Sequence, residues 1–342
     1  MTTLNIKEPA IPFGSWVVIS GVSGFIGSHV ADQALAAGYK VRGTTRSVQK
    51  SDWIKKHFEE KYGLGNFELV EVPDMAAEGA FDRAVTGAAG FIHVANDMTS
   101  SSNASIAIPS AVNGALNALR AAASEPSMKR FVYTSSSFAA TLPKPDQRFT
   151  VTAETFNEEA TERAWGPDAD GDSVYCASKV EAERAIARWV KENNSPLVVN
   201  AILPNANIGP LISATHQGYP TTARWTKALW DSDYASLSHV PPQHYINVQD
   251  DARLHIIGLA DPAVQGERIF AVAGPFNLND ILGVLRRLYP GKTWEDYPDD
   301  RRDLSTFEPM TRAEALLEKA YGRGFVGLEE SVKGNVAELV HG

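Results

Sequence analysis

The chain has little of what marks secreted, membrane-bound or disulfide-linked proteins. Among its 342 residues Cys176 is the one cysteine, so an internal disulfide is excluded and a reducing compartment is indicated. No apolar run approaches the roughly 20 residues that a bilayer-spanning helix needs. The first 15 residues lack the apolar core and basic flank of a signal peptide. We therefore expect a cytoplasmic protein with no membrane partner.

Further absences in the sequence argue against a metal site, a hydrolase nucleophile and nucleic-acid binding. The eight histidines are scattered, and neither HExxH nor a cluster of cysteine and histidine occurs, so no metal site is expected. The segment GVSGF differs from the GxSxG of a hydrolase nucleophile elbow. Acidic residues outnumber basic ones by 41 to 32, giving a net charge of −9, whereas nucleic-acid binding needs a basic excess. No nucleic-acid partner is expected.

Short apolar runs alternate with helix-like stretches along the first 200 or so residues. Such alternation predicts βαβ units, and continuously apolar strands predict helices on both sheet faces. We expect an α/β fold, a Rossmann-type doubly wound parallel sheet with a smaller mixed C-terminal substrate lobe. Strands are predicted at 15–20, 40–46, 67–72, 90–96, 129–136, 197–204 and 268–274, and helices at 25–39, 52–63, 78–88, 107–125, 174–193, 279–289 and 311–322.

The domain boundaries follow from where this alternation weakens. Residues 12–204 form the predicted larger domain, to which a strand and helix at 244–260 and the strand at 268–274 return. Residues 205–243 are rich in Pro, His, Trp and Tyr, a composition typical of a binding lobe. We assign this segment and 275–342 to the substrate lobe.

A glycine-rich segment, VVISGVSGFIGSHV, joins the first strand to the first helix. Its GxxGxxG spacing is one residue longer than the dinucleotide fingerprint GxGxxG, but the physical logic is the same. The glycines allow a tight turn, close approach of a pyrophosphate and close helix packing, while the helix N-terminus offers free N–H groups. The predicted dinucleotide contacts are Gly21, Ser23, Gly24, Phe25, Ile26 and Gly27.

The end of the second strand indicates which dinucleotide binds. NAD-specific sites place an acidic residue there, and none occurs from residue 40 to 50. Arg46 and, four residues later, Lys50 instead suit the 2′-phosphate of NADP(H). The larger domain is therefore predicted to bind NADP(H). We interpret the earlier Arg42 as structural.

A tyrosine and a lysine stand four apart in DSVYCASK, on the predicted helix that begins near residue 174. This spacing places Tyr175 and Lys179 on one helix face. By itself the pair is common, but it follows the glycine loop and three serines at 135–137 that end a predicted strand. Alternation along that strand puts Ser136 on the opposite face from its two neighbours. Asp172 or Ser173 is expected to cap the helix.

Together these features resemble the extended short-chain dehydrogenase/reductase family. The segments VSGFIGSHV, VRGTTRS, FIHVA, KRFVYTSSS, VYCASK and ILPNANIGP are similar to the dihydroflavonol 4-reductase branch and to fungal NADPH-dependent aldehyde and ketone (carbonyl) reductases. The resemblance implies a catalytic triad of Ser136, Tyr175 and Lys179. Ser135 and Ser137 remain possible alternatives to Ser136.

The residue types of this triad suit carbonyl reduction. Hydride addition leaves negative charge on oxygen, which needs a proton, and a free phenol with a pKa near 10 is a weak donor. We expect the lysine ammonium, together with the charge of the oxidised nicotinamide, to lower the pKa of Tyr175. The resemblance also implies that Ser136 orients the substrate oxygen and that Lys179 holds the nicotinamide ribose.

The resemblance extends to residues outside the triad. It implies that Asp74 contacts the adenine and that Ala95 and Pro204 contact the cofactor. Phe138, Asn205 and Trp225 are expected to shape the substrate pocket, and Ile208, Leu211 and Tyr219 belong either to that pocket or to the core. His93, Cys176 and Asn113 are interpreted as a packed strand residue, a buried helix residue and an ordinary helix polar residue.

The predicted function is NADPH-dependent reduction of aldehydes or ketones, including ketoesters or aryl ketones, with tyrosine as the proton donor. The partner is thus a small carbonyl substrate, and the chain is expected to be a monomer or homodimer. Two alternatives stay open. One is an NAD-dependent nucleotide-sugar epimerase or dehydratase of the same fold, which the cations at 46 and 50 disfavour. The other is a non-catalytic NADP-sensing regulator, which the Tyr–Lys pair disfavours.

Overall fold

A seven-stranded parallel sheet forms the centre of the molecule, which we describe from a computed structural model over residues 4–96 and 101–340. The strands are β1 (Trp16–Ser20), β2 (Lys40–Thr45), β3 (Phe67–Glu71), β4 (Gly90–His93), β5 (Arg130–Thr134), β6 (Thr150–Val151), β7 (Val198–Pro204), β8 (Ala206–Ile208), β9 (Gln243–Asn247), β10 (Arg268–Ala271), β11 (Gly274–Phe276) and β12 (Thr306–Phe307). The helices are α1 (Phe25–Ala36), α2 (Asp52–Tyr62), α3 (Asp82–Val85), α4 (Ala104–Ser124), α5 (Glu158–Ala164), α6 (Gly171–Glu192), α7 (Ala214–Gln217), α8 (Ala223–Trp230), α9 (Val248–Ala260), α10 (Leu278–Leu288), α11 (Met310–Tyr321) and α12 (Leu328–Val336).

The strand order of the central sheet is β10-β7-β5-β4-β1-β2-β3, with every pairing parallel. From β1 the chain moves outward through β2 and β3, then crosses back to β4 and continues outward on the other side. In open α/β sheets a ligand crevice lies at such a switch point, beyond the carboxyl ends of the strands. The predicted doubly wound Rossmann architecture is confirmed.

The two faces of this sheet are covered by separate hydrophobic cores. Val17 and Ile19 of β1 pack in one core with side chains of α1, α2, α9 and α11. Val18, between them, points to the opposite face and packs with residues of α3, α4 and α6. Because side chains alternate along a strand, apolar residues at consecutive positions give a strand that is buried on both faces.

A smaller three-stranded sheet, ordered β11-β9-β8, lies in the C-terminal part of the chain. It is mixed, since β9 pairs parallel with β8 and antiparallel with β11. A third core joins this sheet to side chains of α8, α10 and α12. The smaller mixed lobe was therefore predicted correctly as a feature of the fold.

Two parts of the predicted domain division are wrong. The strand expected to return at 244 is β9, which pairs in the small sheet, and only α9 and β10 join the larger one. Helix α11, which we assigned to the lobe, buries Leu316 and Leu317 in the core of the large sheet. Apolar periodicity shows that a helix has a buried face, but it does not show which sheet covers that face.

Several element boundaries also differ from the predictions. The helix predicted at 78–88 is the four-residue α3, because Gly79 and Gly87 both adopt positive φ angles of 71° and 69° that break a helix. Helix α6 begins three residues earlier than predicted, at Gly171. Among the described residues, no helix is long and apolar enough to cross a membrane.

Candidate active site

The glycine-rich turn between β1 and α1 has the geometry that its sequence predicts. Gly21 has a φ of +66°, a conformation that residues with a side chain rarely adopt. A Cβ atom on Gly27 would lie 2.3 Å from the carbonyl oxygen of Gly21, so only glycine allows this packing of helix against turn. Gly24 is the N-cap of α1 and supplies no capping side chain. The first N–H groups of α1 therefore remain available to an anion.

A cavity of about 990 Å³ extends from this turn along the carboxyl ends of the strands. Its wall contains every residue predicted to touch cofactor or substrate, except one. The members are Gly21, Ser23, Gly24, Phe25, Ile26, Gly27, Arg46, Asp74, Ala95, Ser136, Phe138, Tyr175, Lys179, Pro204, Asn205 and Trp225. Gly21 and Trp225, which are 204 positions apart in the sequence, thus line the same cavity.

The exception is Lys50, which is exposed and lies outside the cavity wall. Its backbone N–H donates to the Ser47 hydroxyl 3.4 Å away, in the turn that precedes α2. Arg46, at the end of β2, is also exposed but does line the cavity. Among the described residues Arg46 has no carboxylate within ion-pair distance, whereas Arg42 pairs with Glu68 and is structural, as expected. Of the two predicted cofactor-binding cations, Arg46 lines the cavity, and the contact of Lys50 with the cofactor stays a prediction.

The three serines after β5 have different environments. Ser136 lies in the cavity wall, where its hydroxyl is near enough to Tyr175 to lower the pKa of the phenol, and it accepts the backbone N–H of Phe138 at 3.2 Å. The Ser135 hydroxyl instead donates to the carboxylate of Glu183 on α6. Ser137 is fully buried and outside the wall. Of the three, Ser136 has the hydroxyl placed beside the tyrosine.

Lys179 reaches the same region from the next turn of α6. Its side chain is 2% exposed, and Nζ donates to the carbonyl oxygen of Thr134 at 2.9 Å. The ammonium also lies 5.1 Å from the ring centre of Tyr133 and 6.0 Å from that of Tyr175. Burial lowers the pKa of Lys179 to about 7, although the nearby carboxylate of Glu183 opposes this change.

The pKa of Tyr175 differs from our expectation. Burial raises it to about 12 in the protein alone, and the hydrogen bond from Ser136 offsets only part of that increase. We expected the lysine ammonium, together with the charge of the oxidised nicotinamide, to lower this pKa. Lys179 is itself desolvated and directs an N–H toward Thr134, and the pKa of Tyr175 stays raised because burial of the phenol is the largest effect on it.

A buried serine fixes the strand end beside the glycine turn. The Ser20 hydroxyl oxygen accepts the backbone N–H groups of Val94 and Ala95, both at 2.9 Å, and lies 2.9 Å from Nδ1 of His93. With both lone pairs occupied, the hydroxyl donates its proton to Nδ1. Burial and the nearby Lys179 lower the pKa of His93 to about 3, so the ring is neutral. His93 is thus a packed strand residue, as predicted.

The second layer of the site includes residues that carry no sequence signal. Glu183 accepts from Ser135 and from Arg268 of β10, the latter at 2.7 Å. Nε2 of the buried His255 on α9 lies 2.7 Å from Oγ1 of Thr134. These partners are far apart in the chain, so only the fold reveals that they support the strand end beside Lys179.

The cavity wall also contains polar residues that sequence reasoning missed. They are Ser110, Asn207, Thr221, Thr222 and Gln243. Ser110 lies one helical turn before Asn113, which is exposed and outside the wall. Ile208, Leu211 and Tyr219 pack in cores and do not line the cavity. Cys176 is buried in α6, as predicted.

A metal is not required by this arrangement of side chains. Among residues 4–96 and 101–340, no group of three or more His, Cys, Asp or Glu residues could hold an ion. The donors that the cavity does offer are backbone N–H groups, hydroxyls, amides and one exposed guanidinium. These groups suit a phosphorylated organic cofactor.

Comparison with known proteins identifies relatives along nearly the whole chain. The pattern of the NAD-dependent epimerase/dehydratase family matches residues 17–225. Aldehyde reductase 2 of Sporidiobolus salmonicolor is 39% identical over 337 residues, covering 96% of this chain and 97% of that protein. The ketoreductase nvfG of Aspergillus novofumigatus is 35% identical with the same coverage.

A solved structure gives a matching fold. Gre2 from Candida albicans, crystallised in complex with NADPH, superposes with a TM-score of 0.80 at 26% identity. The alignment covers 96% of this chain and 99% of Gre2. The described architecture, including the small mixed sheet, thus occurs in a protein that binds NADPH.

Proposed function

Because the chain belongs to the NAD-dependent epimerase/dehydratase family, within the extended short-chain dehydrogenases/reductases, we propose that it reduces aldehydes and ketones to alcohols with NADPH. Full-length relatives named as an aldehyde reductase and a ketoreductase support this reaction class. The observation that carries the proposal is that Ser136, Tyr175 and Lys179 share the wall of the cavity that starts at the glycine turn.

The cavity fits the extended shape of NADPH. Arg46 follows β2 and Ser136 follows β5, three strand spacings away, which is roughly 14 Å. The N-terminus of α1 lies between these positions and would hold the pyrophosphate. Arg46 would hold the 2′-phosphate, and Asp74 the adenine end. When bound, NADPH supplies the hydride that adds to the carbonyl carbon.

Tyr175 and Ser136 would complete the reaction at the carbonyl oxygen. As hydride adds to carbon, the π electron pair moves to oxygen, and the phenol proton of Tyr175 is transferred to that oxygen. A pKa of about 12 keeps the phenol protonated at neutral pH, and an alkoxide is basic enough to take its proton. The Ser136 hydroxyl donates to the same oxygen and orients it, while a charged Lys179 stabilises the tyrosinate.

The lining of the substrate end favours uncharged carbonyl compounds. Phe138 and Trp225 supply aromatic surface, and Asn205, Thr222 and Gln243 supply neutral polar groups. Among the described lining residues the charged side chains are Arg46, Asp74 and Lys179, which we assign to the cofactor and the triad. A substrate carboxylate would therefore be buried without a partner, at a cost in binding free energy. Ketoesters and aryl ketones fit this lining better than keto acids.

The test is NADPH oxidation over a panel of aldehydes, aryl ketones and ketoesters, each ester paired with its free acid. We expect turnover of neutral carbonyl compounds, and Tyr175→Phe to lower kcat by about 10²- to 10⁴-fold because the proton donor is lost. Tyr289→Phe is the matched control, since it removes a hydroxyl outside the cavity wall. Full activity of Tyr175→Phe would exclude the mechanism. Turnover of nucleotide sugars with a retained NAD would favour an epimerase or dehydratase.

A further inference from the structure

A glutamine of the lobe is bonded to the glycine-rich turn of the cofactor site. The side-chain amide nitrogen of Gln217, at the end of α7, lies 3.3 Å from the Ser23 carbonyl oxygen and 3.2 Å from that of Gly24. It also lies 3.0 Å from the hydroxyl of Ser28, whose own proton goes to the carbonyl of Phe25. The two amide hydrogens thus face three acceptors on the turn and the first turn of α1.

The other end of the same amide organises its own segment. Oε1 of Gln217 accepts the backbone N–H groups of Ile212 and Ser213, at 3.1 and 3.2 Å. The Gln217 side chain therefore bonds both to the loop before α7 and to the glycine turn. We refer to residues 210–218 as the clasp.

Two further contacts attach the clasp to the cofactor domain. The ring of His216 stacks on that of Trp53 in the first turn of α2, with centres 5.0 Å apart and an angle of 8° between planes. Nε2 of His29 on α1 lies 2.7 Å from the carbonyl oxygen of Pro210. Since α2 follows the loop that carries Arg46, the clasp spans the region between the pyrophosphate turn and that loop.

The clasp leads directly into the substrate end of the cavity. After Gly218, with a φ of +64°, the chain continues through Pro220, Thr221 and Thr222, which all line the cavity. Thr221 has a φ of +46°, an unfavourable conformation for a β-branched residue. Thr222 donates to the carbonyl of Asn207 at 2.6 Å and precedes α8, which carries Trp225. One short stretch thus contacts the cofactor turn at one end and forms substrate wall at the other.

We propose that Gln217 is a positioning residue that couples NADPH binding to the shape of the substrate end. This inference rests on the proposed function for the identity of the cofactor. By holding the carbonyls of Ser23 and Gly24, Gln217 fixes the peptide planes at the start of α1, where Ser23, Gly24 and Phe25 line the cavity. A cofactor that orders this turn also orders the clasp, and with it Pro220 to Trp225. Bound NADPH therefore favours one arrangement of the carbonyl site.

The test compares Gln217→Met with Gln265→Met. Gln265 is exposed, and among the described residues its amide donates only to the nearby Pro262 carbonyl, at 2.8 Å. Calorimetric titration of NADPH, without a carbonyl substrate, should show a Kd about tenfold higher for Gln217→Met and unchanged for the control. With NADPH saturating, the KM for the carbonyl should rise while kcat stays within about twofold of the wild type. A solely structural tether would lower the unfolding temperature of the protein alone and leave both constants unchanged, which would overturn the proposal.

Two further measurements keep the inference testable if Gln217→Met folds poorly. His216→Ala removes an exposed ring that stacks on Trp53, and should raise the NADPH Kd about threefold. Hydrogen exchange at the backbone N–H groups of Ile212 and Ser213 should slow when NADPH binds the wild type. Unchanged exchange together with an unchanged Kd in His216→Ala would refute the coupling. If the wild type binds NADPH but reduces no carbonyl, the proposed function fails, whereas the coupling is decided by the binding data.

Discussion

A buried lysine sets the expected pH dependence of the reaction. Lys179 is charged below its pKa of about 7, and only the charged form stabilises a tyrosinate at Tyr175. We predict that kcat/KM for carbonyl reduction is constant well below pH 7 and falls about tenfold per pH unit above it. With a pKa of about 12, Tyr175 adds no second change between pH 6 and 9. A profile that is flat over that range would contradict the role of Lys179.

Arg46 and Lys50 provide a matched pair for cofactor selection. Both are exposed cations near the end of β2, but only Arg46 lines the cavity. We predict that Arg46→Ala raises the KM for NADPH by about 10- to 100-fold, because a charge-assisted bond to the 2′-phosphate is lost. The KM for NADH should change little, and Lys50→Ala should change neither constant more than about twofold. Equal losses for NADPH and NADH would place the 2′-phosphate elsewhere.

The serines at 135–137 show how far sequence reasoning can identify a single site residue. The family pattern favoured Ser136, whereas strand alternation only put it on the opposite face from Ser135 and Ser137. Because β5 ends at Thr134, the alternation argument does not apply at these positions. What distinguishes the three hydroxyls is their partners. The Ser135 hydroxyl donates to the carboxylate of Glu183, which is 48 positions away, whereas the Ser136 hydroxyl lies near Tyr175 on another element. Such pairings depend on how α6 packs beside β5, which a local pattern does not encode.

At the scale of elements, the start of α6 decides where the catalytic pair lies. Asp170, rather than Asp172 or Ser173, is the N-cap: its side chain accepts the Ser173 N–H at 2.8 Å, and the Ser173 hydroxyl accepts the Asp170 N–H at 3.1 Å. This reciprocal capping box holds the helix one turn before Tyr175. Our sequence prediction recognised the capping residue types but placed the helix start too late.

Removing this cap should affect stability and catalysis together. We predict that Asp170→Ala lowers the free energy of unfolding by about 1 kcal/mol. Since Tyr175 lies in the second turn of α6, fraying of the first turn should lower kcat more than it raises the KM for NADPH. Asp172→Ala is the control, because this exposed carboxylate makes no cap bond and its loss should cost only a few tenths of a kcal/mol. Equal destabilisation by the two changes would argue against the capping box.

At the scale of the whole molecule, buried neutral histidines make the fold sensitive to acid. Burial lowers the pKa of His29 to about 4 and that of His93 to about 3, from 6.5 in the unfolded chain. Between pH 6.5 and 4 the unfolded state binds more protons, so stability falls as pH falls. Each histidine should contribute up to roughly 1.4 kcal/mol of lost stability per pH unit in this range.

This linkage can be measured by denaturant unfolding at pH 7 and pH 5. His29→Gln should reduce the difference between the two free energies of unfolding, because it removes one of the two groups. His239→Gln, at an exposed position of the lobe, should leave that difference unchanged. If His29→Gln also leaves it unchanged, another group accounts for the acid sensitivity.

The overall architecture was predictable because it rests on local signals. Apolar strands, helix periodicity and the glycine turn each occupy a few consecutive residues, and the central strands and longer helices lie close to where these signals place them. The assignment of β9 and α11 to the wrong sheets has the opposite cause. Which surface a strand edge or helix face covers depends on contacts among segments far apart in the chain, and these have no local pattern.

The two-residue strands β6 and β12 pair Thr150 with Thr306 and Val151 with Phe307. During synthesis, more than 150 residues must be added after β6 before its partner β12 exists and the pair can form. Contacts of such long sequence separation form slowly. The strands of the large sheet are all synthesised by residue 271, whereas this small strand pair, and α11 with Leu316 and Leu317 of the large-sheet core, form only after residue 306. Premature termination before residue 306 should thus yield chains that lack part of the large-sheet core and retain neither dinucleotide nor turnover.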